Sequence, residues 1–165
     1  MQRRQLLVLA PAMLMAGCGF RLRTSQAMAF ETIGVTPENG GGVAGELARY
    51  LGDALRPVAP GAGAQAPQVI LDVLQEARTK NVVAVSSTGQ VREFQLLLQV
   101  RFRLRTSLGR ELIAATDLEQ RRDISFSESA VLAKEAEEGL LYRDMQSDMV
   151  QQVLRRIADA KPVKS

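Results

Sequence analysis

The chain has 165 residues, 46% apolar and 24% charged, which suits one domain with one core and excludes a disordered chain. Its formal charge is +3, and Arg3 and Arg4 in an acid-free leader supply two of these charges, so the remaining +1 makes no electrostatic case for nucleic acid. With no histidine and a single cysteine, an internal disulfide and a Cys/His zinc site are excluded, and the commonest general base is missing.

Residues 1–17 read as a signal peptide. Arg3 and Arg4 form the positive start, and the apolar run at 6–15 is shorter than the ~20 residues a bilayer span needs. The end, Leu14, Met15, Ala16, Gly17 and Cys18, resembles a bacterial lipobox, in which cleavage exposes a cysteine that carries acyl chains. Acyl chains on Cys18 would anchor the protein at ~0.8 kcal/mol per buried CH2. By the same resemblance, Gly19 in place of aspartate favours the outer membrane. Residues 20–23 lead out of the anchor.

A short β-like stretch at 30–35 ends at Thr36 and Pro37 and predicts a first strand. Val43, Leu47, Leu51 and Leu55 recur at steps of four, which predicts an amphipathic helix over 43–56 stopped by Pro57. Residues 59–67 are small and read as a loop inside the domain.

The strongest pattern lies in 90–106. Phe94, Leu96, Leu98, Val100, Phe102 and Leu104 alternate with Glu93, Gln95, Gln99, Arg101, Arg103 and Arg105; only Leu97 departs. Strict alternation marks a strand with one buried and one wet face. A two-residue turn at Thr88 and Gly89 would pair it with the stretch before, setting Val83 against Phe94, Ala77 against Val100 and Val73 against Leu104. An odd loop of three or five residues near 107–110, with Gly109 left-handed, would pair it with 111–122, setting Leu104 against Leu112 and Phe102 against Ala114. These are the three strands of a long antiparallel meander. Residues 123–129 offer helix N-caps, Ser125, Ser127 and Ser129 among them. A helix then runs to about Asp159, with Leu141, Met145, Met149, Val150, Val153, Leu154 and Ile157 as its apolar face, a lid for the sheet.

No catalytic constellation is visible. The serines at 125–129 have no histidine, Glu137 and Glu138 fit a solvated helix face, and the glycines form no phosphate loop. Arg101, Arg103 and Arg105 form a stripe on the polar face of one strand. Guanidinium groups suit lipid phosphates; the competing account is a solvated face partly neutralised by Asp117 and Glu119 on the next strand.

The order of elements carries three local phrases: residues 18–23, residues 88–95, and Leu132, Ala133, Lys134 and Glu135 ahead of a helix that ends at 152–157. Together they resemble the LptE family of lipopolysaccharide-assembly lipoproteins. The resemblance implies one domain over 18–165, an α+β two-layer sandwich with a four-stranded, mostly antiparallel sheet covered by two helices. It implies a non-enzymatic protein on the periplasmic side of the outer membrane, held by lipid on Cys18, with no other cofactor and no nucleic acid. It also implies two partners: the LptD β-barrel, which the family plugs and helps to assemble, and lipopolysaccharide. Lys134 matches a family lysine associated with lipopolysaccharide, though it also fits a surface lysine near a helix start. The hairpin tip at 86–89 lacks the family's basic residue, which shifts that role to Arg92. The alternative is another periplasmic adaptor lipoprotein that serves general barrel assembly.

Overall fold

The computed structural model describes residues 29–59 and 65–160. The expected signal peptide, Cys18 with its lipid, part of the 59–67 loop and the tail at 161–165 lie outside the described residues.

The chain runs β1 (Ile33–Thr36), α1 (Gly42–Leu51), a 3-10 turn (Gly52–Ala54), β2 (Val69–Val85), β3 (Val91–Thr106), β4 (Glu111–Ser125), a second 3-10 turn (Glu128–Ala130) and α2 (Val131–Asp159). The sheet order is β1-β2-β3-β4, with β1 parallel to β2 and the other pairs antiparallel. Both helices pack on one face of this open sheet, the expected α+β arrangement.

The alternation in β3 places Leu96, Leu98, Val100, Phe102 and Leu104 in the core at 1% exposure or less. From α2, Met145, Met149, Val150, Val153 and Ile157 meet them with no exposed surface. Leu141 is half-buried at the rim.

The β2–β3 register differs from the expected one. The loop is Ser87, Thr88 and Gly89: Ser86 N–H donates to Gln90 O at 2.7 Å, and Gly89 takes φ +83°. The third loop residue slips the pairing by one, so Val82 faces Phe94 and Glu76 faces Val100, in place of Val83 and Ala77. A bulge between Val73 and Gln75 slips it again and restores parity, so Leu71 meets Leu104 where Val73 was expected. Between bulge and tip, Glu76, Arg78 and Lys80 therefore oppose Val100, Leu98 and Leu96 on the helix side. The β3–β4 loop has three residues, the shorter of the two expected lengths, with Gly109 at φ +90°. Two further bulges move Leu104 to Ile113 and Phe102 to Thr116, in place of Leu112 and Ala114.

The helix ends also differ. α1 stops at Leu51 because Gly52 turns to φ +47°, and Leu55, extended, bridges to Ile33 instead of completing the helix. α2 has Ala130 at its N-cap with no side-chain cap; Ser127 and Ser129 bond each other, and Ser125 is the last residue of β4.

Candidate functional site

Among the described residues Asp72 is the one charged side chain that is buried, at 5% exposure. It stands in β2 next to Arg103 and close to Arg105 on β3. Nε of Arg103 and Nε of Arg105 each donate to its Oδ2 at 2.7 Å, and the Thr36 hydroxyl donates to Oδ1 at 2.7 Å. Burial by itself raises the carboxyl; the bonds from Arg105, Thr36 and Arg103 outweigh it and hold the group at about 2. The same bond raises the Arg105 guanidinium above its ordinary value. The acid that holds the stripe is thus Asp72 rather than Asp117 and Glu119. Asp117 reaches only Arg101, at 3.9 Å, and Glu119 is engaged with Gln99 and Arg121. Arg101 is the loosest of the three, with its side chain half exposed.

Lys134 and Arg92 belong to the hairpin end. The Lys134 ammonium donates to Ser125 Oγ at 2.9 Å and Glu137 Oε2 at 2.8 Å, and its side chain is 22% exposed. Beside it lies a small pocket of about 50 Å³ floored by Phe94, Ile124 and Phe126 and rimmed by Lys80, Lys134, Glu135 and Glu138. The two rings meet edge to face at 5.2 Å, and the Lys80 ammonium sits 4.3 Å from the Phe94 centroid while pairing with Glu138 at 2.6 Å. Val82, Val83 and Val85 near the tip of β2, and Leu132 at the start of α2, are 49–81% exposed. Arg92 is exposed, and among the described residues no carboxylate lies within ion-pairing distance of it.

The candidate cations therefore fall into two groups. From Arg92 to Arg103 is eleven residues of β3, roughly 36 Å at about 3.3 Å per residue. The hairpin end joins apolar surface to cations; the other end joins cations to a buried acid. Neither Lys80 nor Asp72 is among the cations and acids that the sequence pattern singles out. Lys80 depended on the register slip, but Asp72 left a signal: it is the only acid in the apolar run from 69 to 74, and acids in such runs are paired.

Between the helices and β2, further polar contacts fix the frame. Val43 N–H donates to Glu76 Oε2 at 2.8 Å, which caps α1 from a strand. Arg78 bonds Gln146 at 2.7 Å and lies 5.3 Å from the Tyr142 ring, whose hydroxyl donates to the Thr79 carbonyl at 3.0 Å. Burial raises the Tyr142 hydroxyl above its ordinary range.

A family model for LptE, described as lipopolysaccharide-assembly, matches residues 30–157, from the entry to β1 almost to the end of α2. The chain belongs to the LptE family. The family is one of lipopolysaccharide-assembly lipoproteins associated with the outer membrane. Among solved structures, the LptE-family fold here is similar to an uncharacterized lipoprotein B from Nitrosomonas europaea, at 32% identity and a TM-score of 0.68, over 86% of this chain and 91% of that one. It is similar in fold to rare lipoprotein B from Shewanella oneidensis, at 19% identity and a TM-score of 0.61, over 78% of this chain and 92% of that one. A minor lipoprotein from Acinetobacter baumannii shares the fold at 19% identity and a TM-score of 0.61, over 84% and 99% of the two chains. A comparison with curated proteins gives no match.

Proposed function

We propose that this LptE-family chain is the non-enzymatic partner of an LptD-type β-barrel, lodged in that barrel, assisting its assembly and taking part in lipopolysaccharide delivery to the outer leaflet. The observation that carries the reading is the family match across β1, α1, β2, β3, β4 and most of α2. The hairpin end supports a role with lipopolysaccharide: exposed valines and Leu132 beside Lys80, Lys134 and Arg92 offer an apolar surface for acyl chains with cations for phosphates. Lipid on Cys18 holds the domain on the periplasmic side of the outer membrane, and 29–160 supplies a core that does not need the anchor.

Affinity isolation of the full chain from outer membranes in mild detergent tests the reading. An LptD-type barrel is the expected dominant partner. Recovery with general barrel-assembly components alone would replace the proposal with the adaptor reading. For the anchor, palmitate labelling should be lost in Cys18→Ser; labelling at the wild-type level would remove Cys18 as the lipid site.

A further inference from the structure

The last stretch of β3 and its loop, Phe102, Arg103, Leu104, Arg105, Thr106 and Ser107, occurs a second time residue for residue as Phe20, Arg21, Leu22, Arg23, Thr24 and Ser25. In β3 the chemistry of this hexapeptide is explicit. Phe102 and Leu104 are fully buried, and Arg103 and Arg105 bond an acid on the neighbouring strand. The same stretch also lines one flank of β4, with Phe102 facing Thr116, Leu104 facing Ile113 and Arg105 facing Glu111.

β4 ends the sheet, so among the described residues its other flank has no strand partner. Residues 112–116 there contain no charge and no proline, two of the usual guards against strand addition; only the bulges protect them. Leu112 and Ile113 are half-buried and leave apolar surface uncovered beside the core. Glu111 and Asp117 are 51% and 76% exposed and hold Arg103 and Arg101 only at 3.8 and 3.9 Å. The free flank of β2 lacks this complement: in 73–85 the only acid is Glu76, which already caps α1.

We propose that residues 20–25 dock on the free flank of β4 as an added antiparallel strand, repeating there what residues 102–107 do on the opposite flank. Phe20 and Leu22 cover Leu112 and Ile113, while Arg21 and Arg23 face Glu111 and Asp117. The path is long enough. β1 begins beside Val69, which pairs with Thr106, so it begins at the end of the sheet where β4 also begins. Crossing from the β4 flank to β1 spans roughly 14–19 Å at about 4.8 Å per strand. The chain from Ser25 to Ile33 reaches roughly 26 Å at about 3.3 Å per residue. A segment that runs antiparallel to β4 from 20 to 25 also arrives at that same end. Docking would move the exit of the membrane tether from the start of β1 to the β4 edge and fix the angle at which the domain leaves it.

Amide exchange read by mass spectrometry on the processed full-length protein in detergent tests this. Peptides covering 20–25 and 111–117 should both exchange slower by about tenfold or more than in Leu22→Pro, which cannot donate to a ladder, with β3 peptides unchanged. Arg23→Glu should loosen the same two peptides, and adding Glu111→Arg should restore them. With Leu22→Cys and Ile113→Cys together, oxidation should give a disulfide within one chain. Equal exchange of 111–117 in wild type and Leu22→Pro overturns the proposal. A disulfide formed only between two chains also overturns it, by assigning the edge to a second copy.

Discussion

Phe102 and Asp72 show how far single residues can be read from a string of letters. Phe102 was legible: its place in a row of apolar residues at every second position puts it inward, and it has no exposed surface. Phe102→Ala should cost about 3–5 kcal/mol in urea melts, a large part of the ~5–15 kcal/mol such a domain possesses. A loss under about 1 kcal/mol would mean that the faces of β3 are reversed. Asp72 was visible only as an oddity in an apolar run, because its partners come from a register that the run does not encode. Its folded pKa, about 2, lies below its ordinary 3.8. The unfolded chain therefore takes up the proton first, and the group's contribution is complete above about pH 4 and drains as pH falls toward 2. The shift corresponds to about 2 kcal/mol, as an upper value because both arginines are partly exposed. Urea midpoints should fall across that window in the wild type and fall less in Asp72→Asn. Equal slopes in the two proteins would place the acid sensitivity in another group.

The long elements were readable and their junctions were not. β3 and α2 carry periodic signals over many residues, whereas a register turns on one loop residue and on bulges that leave no mark in the alternation. That is why the pattern sets Val83 against Phe94 and Ala77 against Val100, whereas the fold puts Val82 and Glu76 there and turns Glu76 to cap α1. The first helix shows the same limit at both ends: Gly52 stops it early, and its cap comes from a strand 33 residues on in sequence. Glu76→Ala should cost about 1 kcal/mol in denaturant midpoint, the usual worth of an N-cap. Glu76→Gln should lose less, since an amide oxygen still accepts from Val43. Gly42→Ala should cost more than Glu76→Gln, because Gly42 sits at φ +59° and a Cβ there would collide with the Glu76 carboxylate. If Gly42→Ala melts like wild type, the contact between β2 and α1 is loose enough to admit a methyl group.

Across the whole molecule, charge is sorted by end. The sequence pattern alone does not divide the candidate cations, since the distance between Arg92 and Arg103 exists only once β3 is a strand. The fold leans on Arg103 and Arg105 through Asp72, so reversing either charge would set two acids together and disturb the sheet before it reported on any ligand. Lys134 and Arg92 lie at the surface of the hairpin end and make clean probes. Lys134→Gln with Arg92→Glu should weaken lipopolysaccharide binding and leave the melting temperature nearly unchanged, because the amide sets no acid beside Glu137 and ion pairs at a surface contribute under about 1 kcal/mol. Binding should also fall with added salt, as the screening length shrinks to ~8 Å at physiological ionic strength. It should not vanish, since Val82, Val83, Val85 and Leu132 remain for acyl chains. Arg101→Glu, the one stripe residue free of Asp72, should bind lipopolysaccharide as wild type does. The opposite pattern, binding lost with Arg101→Glu and kept by the hairpin-end pair, would move the glycolipid to the outer face of the sheet. Capture of the barrel measured on the same variants separates the two partners: a hairpin-end pair that loses the barrel yet keeps the glycolipid would make Lys134 and Arg92 barrel contacts instead.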